Sequence, residues 1–137
     1  MHIELVPLKK VGVFIFNDDI RNYSDYGLKI ERSLDKTGWD TYRLEKDGVV
    51  IHTENNLIVS IACYNYCYLK NQNVINMKVG DFVNLNKVYP DLNQTDTIFL
   101  NEEEYPHIVY EFETLGMQIW VKKGVIDTVF CAPLIEE

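Results

Sequence analysis

This sequence has little positive charge. Its 13 lysines and arginines stand against 21 aspartates and glutamates, which gives a formal net charge of −8 at pH 7. Such a surface repels phosphate backbones, so direct nucleic-acid binding is not expected. It would attract a basic protein and speed the encounter with it. Acidity on this scale also keeps a protein soluble, and the net charge alone does not separate the two interpretations.

The sequence also lacks long apolar runs. No segment approaches the roughly 18 consecutive apolar residues that a transmembrane helix needs, so no membrane partner is expected. The first residues, MHIELVPLKKVGVF, lack the basic stretch and apolar core of a signal peptide. We therefore expect a cytoplasmic protein in a reducing compartment. With 137 residues the chain is long enough for one domain with its own core.

Cysteine is scarce as well. Cys63 and Cys67 stand four apart in ACYNYCYLK, and Cys131 is the third. A structural zinc site needs four closely spaced cysteine or histidine ligands, and the three histidines of this chain are scattered. Disulfides are not expected in a reducing compartment. We therefore interpret the cysteines as small core residues, and we expect no metal and no cofactor.

Catalytic motifs are missing too. The chain contains no Gly-x-Ser-x-Gly, no phosphate-binding glycine-rich loop and no His-Glu-x-x-His. His52 and His107 lie near carboxylates in the sequence. A catalytic histidine, however, also needs a nucleophile, an orienting group and a cleft. We therefore expect that the protein is not an enzyme.

What the sequence does contain is an internal similarity between two segments. Residues 41–63, TYRLEKDGVVIHTENNLIVSIAC, align without gaps with residues 109–131, VYEFETLGMQIWVKKGVIDTVFC. Apolar and polar residues alternate between turn signals such as Asp47-Gly48, and this pattern predicts three antiparallel strands in each copy. In the first copy the strands are expected near 41–46, 49–54 and 57–64. The alternation in the third strand places Leu57 on its inward face, together with Val59, Ile61 and Cys63.

A short helix is predicted before each set of strands. Residues 17–27 open with an N-cap residue and close with glycine, and residues 79–89 are stopped by Pro90. Helices of this kind can cover the apolar face of a sheet. We therefore predict an α+β fold. It is a single domain over residues 1–137 with two α-β-β-β repeats, about 11–68 and about 76–133, a largely antiparallel sheet and two short helices.

Acidic and aromatic residues are the candidates for binding. Three consecutive glutamates lie between residues 101 and 107, and most runs of this kind belong to solvated loops. The alternative is an acidic patch that meets the lysines and arginines of a partner. The tyrosines of residues 64–68 either cover a sheet edge or form a binding surface. The predicted binding residues are Asp18, Asp19, Asp25, Trp39, Tyr66, Tyr68, Glu102, Glu103, Glu104 and Tyr105.

The order of these segments resembles a known family. The succession of VGVFIF, a short acidic helix, DTY, DGVVI and LIVSIAC is similar to small bacterial immunity proteins of contact-dependent growth inhibition systems. The second half continues the pattern with VGDF, GMQIWV and IDTV. The resemblance covers most of the chain, as a pattern of strands and turns.

In such polymorphic toxin systems one cell delivers a toxin domain, commonly a nuclease, into its neighbour. The immunity protein binds that domain in the cytosol and blocks its active site or its access to substrate. The resemblance thus implies a non-enzymatic inhibitor whose partner is a toxin domain, and the acidity of this chain leads us to expect a basic one. The other open interpretation is a ligand-binding or scaffolding domain whose acidity serves only solubility.

Overall fold

The computed structural model of this chain describes residues 2–31, 39–91, 96–98 and 107–133. Eight of its strands form one antiparallel sheet, in the order β10-β11-β12-β13-β7-β6-β5-β4. Strands β1, β2 and β3 form a second sheet, and β8 pairs with β9. The bounds are β1 (Leu5–Val6), β2 (Lys10–Val11), β3 (Phe14–Ile15), β4 (Lys29–Glu31), β5 (Trp39–Leu44), β6 (Val49–Glu54), β7 (Leu57–Cys63), β8 (Tyr68–Leu69), β9 (Gln72–Asn73), β10 (Asp96–Ile98), β11 (His107–Phe112), β12 (Met117–Lys122) and β13 (Val125–Cys131).

Helices form in both predicted segments, although the first is a 3-10 helix. It spans Ile20–Tyr26 and ends at Gly27, whose positive φ of 74° suits glycine. Helix α1 spans Val79–Asn86 and ends at Lys87 in the left-handed conformation, before it reaches Pro90. Neither helix is long and apolar enough to cross a membrane, and the same holds throughout the described ranges. The coarse prediction of a small, largely antiparallel domain with two short helices is confirmed.

The two predicted meanders have matching local geometry. Strands β5, β6 and β7 have the same lengths as β11, β12 and β13, which begin 68 residues later. A short 3-10 turn precedes β6 and another precedes β12, and these turns end at Gly48 and Gly116 with φ of 67° and 61°. A β-bulge interrupts the second hairpin of each set, after His52 and after Trp120. Strand β5 ends at Leu44, two residues earlier than predicted, because residues 45–47 form the first of these 3-10 turns.

The core lies on one face of the large sheet, beneath both helices. Ile20 of the first helix and Phe82 of α1 belong to one buried cluster with sheet residues such as Ile51 and Ile119. Phe82 meets Phe112 edge-on, with ring centroids 5.0 Å apart. Burial of these large apolar side chains is the main stabilising contribution to the fold.

The inward face predicted for β7 is wrong at its first residue. Leu57 is 42% exposed, whereas its neighbour Ile58 is fully buried. The β-bulge is the cause, because Thr53 pairs with Ile58 while His52 pairs with Ser60. The extra residue, Val59, shifts the alternation so that Ile58 and Ile61 both enter the core.

The two halves of the large sheet join where β7 meets β13. Ala62 lies opposite Phe130, with Cys63 opposite Val129 and Ile61 opposite Cys131. Because these strands run antiparallel, their first residues lie at opposite ends of the sheet. At about 3.3 Å per residue, Leu57 and Val125 are roughly 30 Å apart.

Candidate functional site: an acidic end of the sheet

The first 3-10 helix begins at an aspartate that is held by its own first turn. Asp19 Oδ1 accepts hydrogen bonds from Arg21 N and Arg21 Nε, both at 2.9 Å. Asp19 Oδ2 accepts a third from Arg21 Nη2 at 2.6 Å. The hydrogen bond from the Arg21 side chain, followed by that from its backbone, lowers the pKa of Asp19 to about 2. Asp19 is therefore anionic at neutral pH and serves as the cap of this helix.

Asp18 is fixed beside it by a different set of donors. Its carboxylate accepts hydrogen bonds from Tyr23 Oη at 2.8 Å, Asn22 Nδ2 at 3.0 Å and the backbone N–H of Asp19 at 3.0 Å. The Tyr23 hydrogen bond is the largest cause that lowers the pKa of Asp18. Both carboxylates are thus charged and have fixed orientations. Fixed carboxylates lose less conformational freedom when they bind a cation than the carboxylates of a loose acidic tail would, and this favours binding.

Strand register extends this pair into a row across the sheet. Asp19 forms an isolated antiparallel bridge with Leu57, Leu57 pairs with Glu54, and Glu54 pairs with Trp39. The connection at Asp19 is reinforced by a hydrogen bond from Ile58 N to the carbonyl oxygen of Asp18, at 3.0 Å. With about 4.8 Å between neighbouring strands, the row runs roughly 15 Å from Asp19 to Trp39.

Apolar side chains are exposed among these carboxylates. Ile15 is 49% exposed, Leu57 42%, and Tyr26 and Trp39 41% each. Tyr26 packs against Phe14 and Tyr23, with ring centroids 5.8 and 6.1 Å away, so its position is fixed. Exposed aromatic and aliphatic side chains with a charged rim are typical of surfaces that bind other proteins.

We call this surface the acidic end. It carries five carboxylates and the Arg21 guanidinium. Its residues are Ile15, Asp18, Asp19, Arg21, Asp25, Tyr26, Trp39, Asp40, Glu54 and Leu57.

The structure places three of the predicted binding residues in or beside this row, and a fourth on the same helix. Asp18 and Asp19 lie at the start of the first helix, Asp25 is exposed near its end, and Trp39 lies at the other end of the row. The predicted residues Glu102, Glu103, Glu104 and Tyr105 lie outside the described residues.

Tyr66 and Tyr68 do not belong to the acidic end. They follow β7 at its far end, beyond Cys63, and both are half-buried. Tyr66 Oη donates to Asp47 Oδ1, and this hydrogen bond is the largest cause that raises the pKa of Tyr66 to about 12. Tyr68 stacks on His2, with ring centroids 4.8 Å apart. Their described contacts hold the turn before β6 and the chain start in place.

Six members of the acidic end were not among the predicted binding residues: Ile15, Arg21, Tyr26, Asp40, Glu54 and Leu57. Glu54 and Leu57 flank the Asn55-Asn56 turn, which lies between the strands predicted near 49–54 and 57–64. That turn was the available signal, since residues beside a hairpin turn lie at the end of a sheet. The contact between this turn and the start of the first helix joins distant segments of the chain. The local sequence pattern does not encode such a contact.

The corresponding positions at the opposite end carry lysines. Lys78 precedes α1 as Asp19 precedes the first helix, and it bridges to Val125 as Asp19 bridges to Leu57. Val125 pairs with Lys122, which takes the place of Glu54. We call Lys78, Lys122, Lys123 and Val125 the basic end. Lysines therefore occupy at this end two of the positions that carboxylates occupy at the acidic end.

A tryptophan–histidine pair occurs in each half, with the two residues exchanged. Trp39 lies 6.2 Å from His52, and Trp120, the residue equivalent to His52, lies 5.7 Å from His107. His107 Nε2 also contacts Asp127 Oδ2 at 2.6 Å, while its buried Nδ1 has no hydrogen-bond partner within the described ranges. His107 is only 5% exposed, so this histidine–aspartate contact is mostly closed to solvent.

All three cysteines are buried, as a core role requires. Contact with Cys67 and burial raise the pKa of Cys63, and burial raises that of Cys131. In the described part of the chain, no group of three or more histidine, cysteine or acidic side chains is arranged to hold a metal ion.

Comparison of this chain with family models, with curated proteins and with solved structures finds no match.

Proposed function

We propose that this chain is a bacterial immunity protein that binds a cognate toxin domain in the cytoplasm through the acidic end. Binding neutralises the toxin by covering its active site or its access to substrate. The observation that supports this most is the row from Asp19 to Trp39, where fixed carboxylates flank exposed apolar side chains. The resemblance to immunity proteins, noted from the sequence, agrees with it.

The chemistry of the acidic end favours a basic partner. A nuclease must carry lysines and arginines where it holds the phosphate backbone, so a cluster of carboxylates complements that surface. Opposite charge speeds the encounter, whereas affinity comes mainly from a few desolvated anchors. Trp39 and Leu57 are suited to be such anchors, since each is about two-fifths exposed in the free protein.

Inhibition of this kind needs no catalysis by the immunity protein itself, so we propose a non-enzymatic role. The carboxylates of Asp18 and Asp19 are already engaged in hydrogen bonds with neighbouring residues. They offer fixed negative charge rather than a proton-transfer group. Loss of a turnover in His52→Ala or His107→Ala would contradict this part of the proposal.

We also propose that the chain contains two copies of an α-β-β-β unit. Equal strand lengths, the repeated bulge and the matching bridges at Asp19 and Lys78 support the duplication. Opposite charges at equivalent positions then mean that the copies have diverged in function. One copy would supply the toxin-binding surface and the other would complete the sheet.

Co-expression with the toxin domain encoded beside this gene tests the function. We expect a complex that survives size-exclusion chromatography and restores growth. The double variant Asp25→Lys/Glu54→Lys should weaken the complex and the growth rescue, because both side chains are exposed members of the acidic end. Glu4→Lys/Glu113→Lys is the matched control, since it reverses two exposed charges elsewhere.

The outcomes separate the function from the site. Growth arrest and no complex with the unmodified chain would contradict the immunity function. Full rescue by both double variants would keep the function but remove the acidic end as its site. Circular dichroism of each variant should match the parent chain, which shows that the substitutions leave the fold intact.

A further inference from the structure

Strand β4 forms one edge of the eight-stranded sheet. It pairs with β5 on one side, and no described strand lies beyond it on the other. All three of its residues, Lys29, Ile30 and Glu31, are exposed. The backbone N–H and C=O groups along an open edge of this kind can pair with a further strand. This edge is therefore a candidate binding surface that shares no residue with the acidic end.

The middle residue of β4 continues the apolar face of the sheet to its edge. Ile30 pairs directly with Tyr42 of β5, and directly paired residues of antiparallel strands project to the same face. Tyr42 is only 6% exposed and belongs to the core, whereas Ile30 is 52% exposed. A further strand beside β4 would cover Ile30, so the burial of apolar surface favours pairing at this edge.

The residues on either side of Ile30 carry opposite charges. Lys29 and Glu31 project to the other face of the sheet, because side chains alternate along a strand. Glu31 Oε1 lies 3.0 Å from Arg43 Nε, and Lys29 Nζ lies 3.0 Å from Glu45 Oε2. Ion pairs as exposed as these contribute little to stability, so both side chains can turn towards a partner strand.

These charges decide which strand the edge accepts. In an antiparallel pair of two β4 strands with Ile30 opposite Ile30, Lys29 of each copy lies opposite Glu31 of the other. Opposite charges placed across a strand pair stabilise it, and like charges destabilise it. A parallel pairing in register, or an antiparallel one shifted by two residues, would place like charges opposite each other. The sequence Lys-Ile-Glu is thus complementary to itself in one orientation and one register.

We propose that the edge of β4 binds a second copy of this chain. The two large sheets then join into one, across a twofold axis that passes between the two Ile30 side chains. Because each copy contributes the same residues, the contact closes as a dimer and leaves neither β4 edge open.

The dimer leaves toxin binding possible. The acidic end lies beyond the Glu31 end of β4, since Glu31 pairs with Thr41 and Trp39 lies two residues further along β5. The two β4 strands run antiparallel, so the two acidic ends lie at opposite ends of the joined edge. The proposal therefore does not rest on the proposed function.

Sedimentation velocity over a series of protein concentrations, at near-physiological salt, tests the association. Three residues from each copy bury much less than the roughly 1,200–2,000 Å² of a standard interface, so we expect a weak dimer with a Kd on the order of 100 μM. The series should therefore extend to about 1 mM, roughly tenfold above that Kd. Ile30→Lys should abolish the dimer, because it places two like charges opposite each other at the axis.

Exchange of charge then tests the register. Lys29→Glu and Glu31→Lys should each weaken self-association by about tenfold, because each places like charges opposite each other on both sides of Ile30. An equimolar mixture of the two variants should associate about as tightly as the parent chain, since one strand then carries two carboxylates and the other two ammonium groups. Lys9→Glu and Glu4→Lys are the matched controls, because they change the net charge equally at exposed residues elsewhere.

Three outcomes would overturn the proposal. The first is a parent chain that stays monomeric at about 1 mM, which would leave the edge to a strand of another protein. The others are a dimer that Ile30→Lys leaves intact and a mixture of the two charge variants that does not associate. Circular dichroism of each variant should match the parent chain. The proposed function is tested separately by growth rescue, so failure of one does not imply failure of the other.

Discussion

Ala62 lies directly opposite Phe130 at the junction of β7 and β13, and the two residues are separated by the same 68 positions that relate the two meanders. The register around them is symmetrical, since Cys63 faces Val129 and Ile61 faces Cys131. A local twofold axis therefore passes between Ala62 and Phe130. Because of this twofold relation, β7 starts at one end of the sheet and β13 starts at the other. The acidic end and the basic end, which lie at these two starts, are therefore far apart.

Charge reversal at the acidic end should slow association with a basic toxin domain. The double variant Asp25→Lys/Glu54→Lys is expected to lower the association rate constant about tenfold at low salt and to flatten its dependence on ionic strength. Stopped-flow fluorescence over a series of salt concentrations measures both quantities. An equal decrease in the control Glu4→Lys/Glu113→Lys would show that net charge, rather than its position, governs the encounter.

The run Glu102-Glu103-Glu104 is predicted from the sequence to contribute to a partner interface. Reversal of these three charges should slow association and weaken its salt dependence, because three carboxylates in sequence raise the local potential. The same stopped-flow measurement applies. An unchanged association rate would remove these residues from the interface and leave the acidic end as the binding surface.

Asp19→Ala should lower the thermal midpoint of unfolding at neutral pH. The substitution removes both the helix cap and the contact with the Arg21 guanidinium. The folded-state pKa, about 2, lies below the ordinary value of 3.8. The stabilisation by the ionised group is therefore present above about pH 4 and is lost as the pH falls towards 2.

Thermal unfolding of the parent chain and of Asp19→Ala between neutral and acidic pH measures this effect. The difference between the two midpoints should shrink as the pH falls through that window. Asp19→Asn is the matched control, because it keeps an oxygen that can cap the helix but has no charge. A difference that stays constant down to about pH 2 would place the effect in packing rather than in charge.

Tyr66→Phe should lower the free energy of unfolding by about 1–2 kcal/mol, because it removes a hydrogen bond to a buried carboxyl oxygen. That acceptor is Asp47, which is 5% exposed in the turn before β6. Chemical denaturation at neutral pH measures the change. Tyr64→Phe is the control, since Tyr64 is 39% exposed, and equal effects of the two substitutions would contradict the assigned role.

The same hydrogen bond has an alkaline signature. The pKa of Tyr66 is raised from 10.0 to about 12 in the folded chain. Its contribution to stability is therefore complete below about pH 10 and is lost as the pH rises through 12. Tyr66→Phe should lack this component of the alkaline loss of stability.

The thiols should be unreactive in the folded protein. Cys63, Cys67 and Cys131 are buried, and the raised pKa values of Cys63 and Cys131 reduce the thiolate that reacts. At about pH 8 an aromatic disulfide reagent should label none of them until denaturant is added. Rapid labelling of one thiol in the native state would contradict a core role for that residue.

Much of the fold could be predicted from local pattern, because the turns are encoded locally. The glycines at 48 and 116 have the positive φ that closes each turn, and strands β6 and β7 lie within a residue of their predicted bounds. The merging of two meanders into one sheet depends on the pairing of β7 with β13, which joins distant segments. Nothing in either strand alone specifies that partner.

The candidate site, like the fold, could be predicted from the sequence only in part. Charge and exposure singled out Asp18, Asp19 and Trp39, which the structure places in or beside one row. Leu57 was assigned to the wrong face, since a single extra residue in the β-bulge reverses the direction of every side chain before it. Tyr66 lies outside the acidic end and its hydroxyl contacts Asp47 of this chain, so its binding to a partner stays a prediction.

The five carboxylates of the acidic end and the three lysines of the basic end lie at opposite ends of the sheet, and this arrangement contributes to the electric dipole of the molecule. In the field of a strongly basic surface such a dipole experiences a torque as well as an attraction. A basic partner of the kind proposed above would therefore turn the molecule before contact, with Asp18, Asp19 and Glu54 leading. A larger share of collisions then begins in the orientation that binding requires, so the arrangement of charge contributes to speed in addition to its total amount.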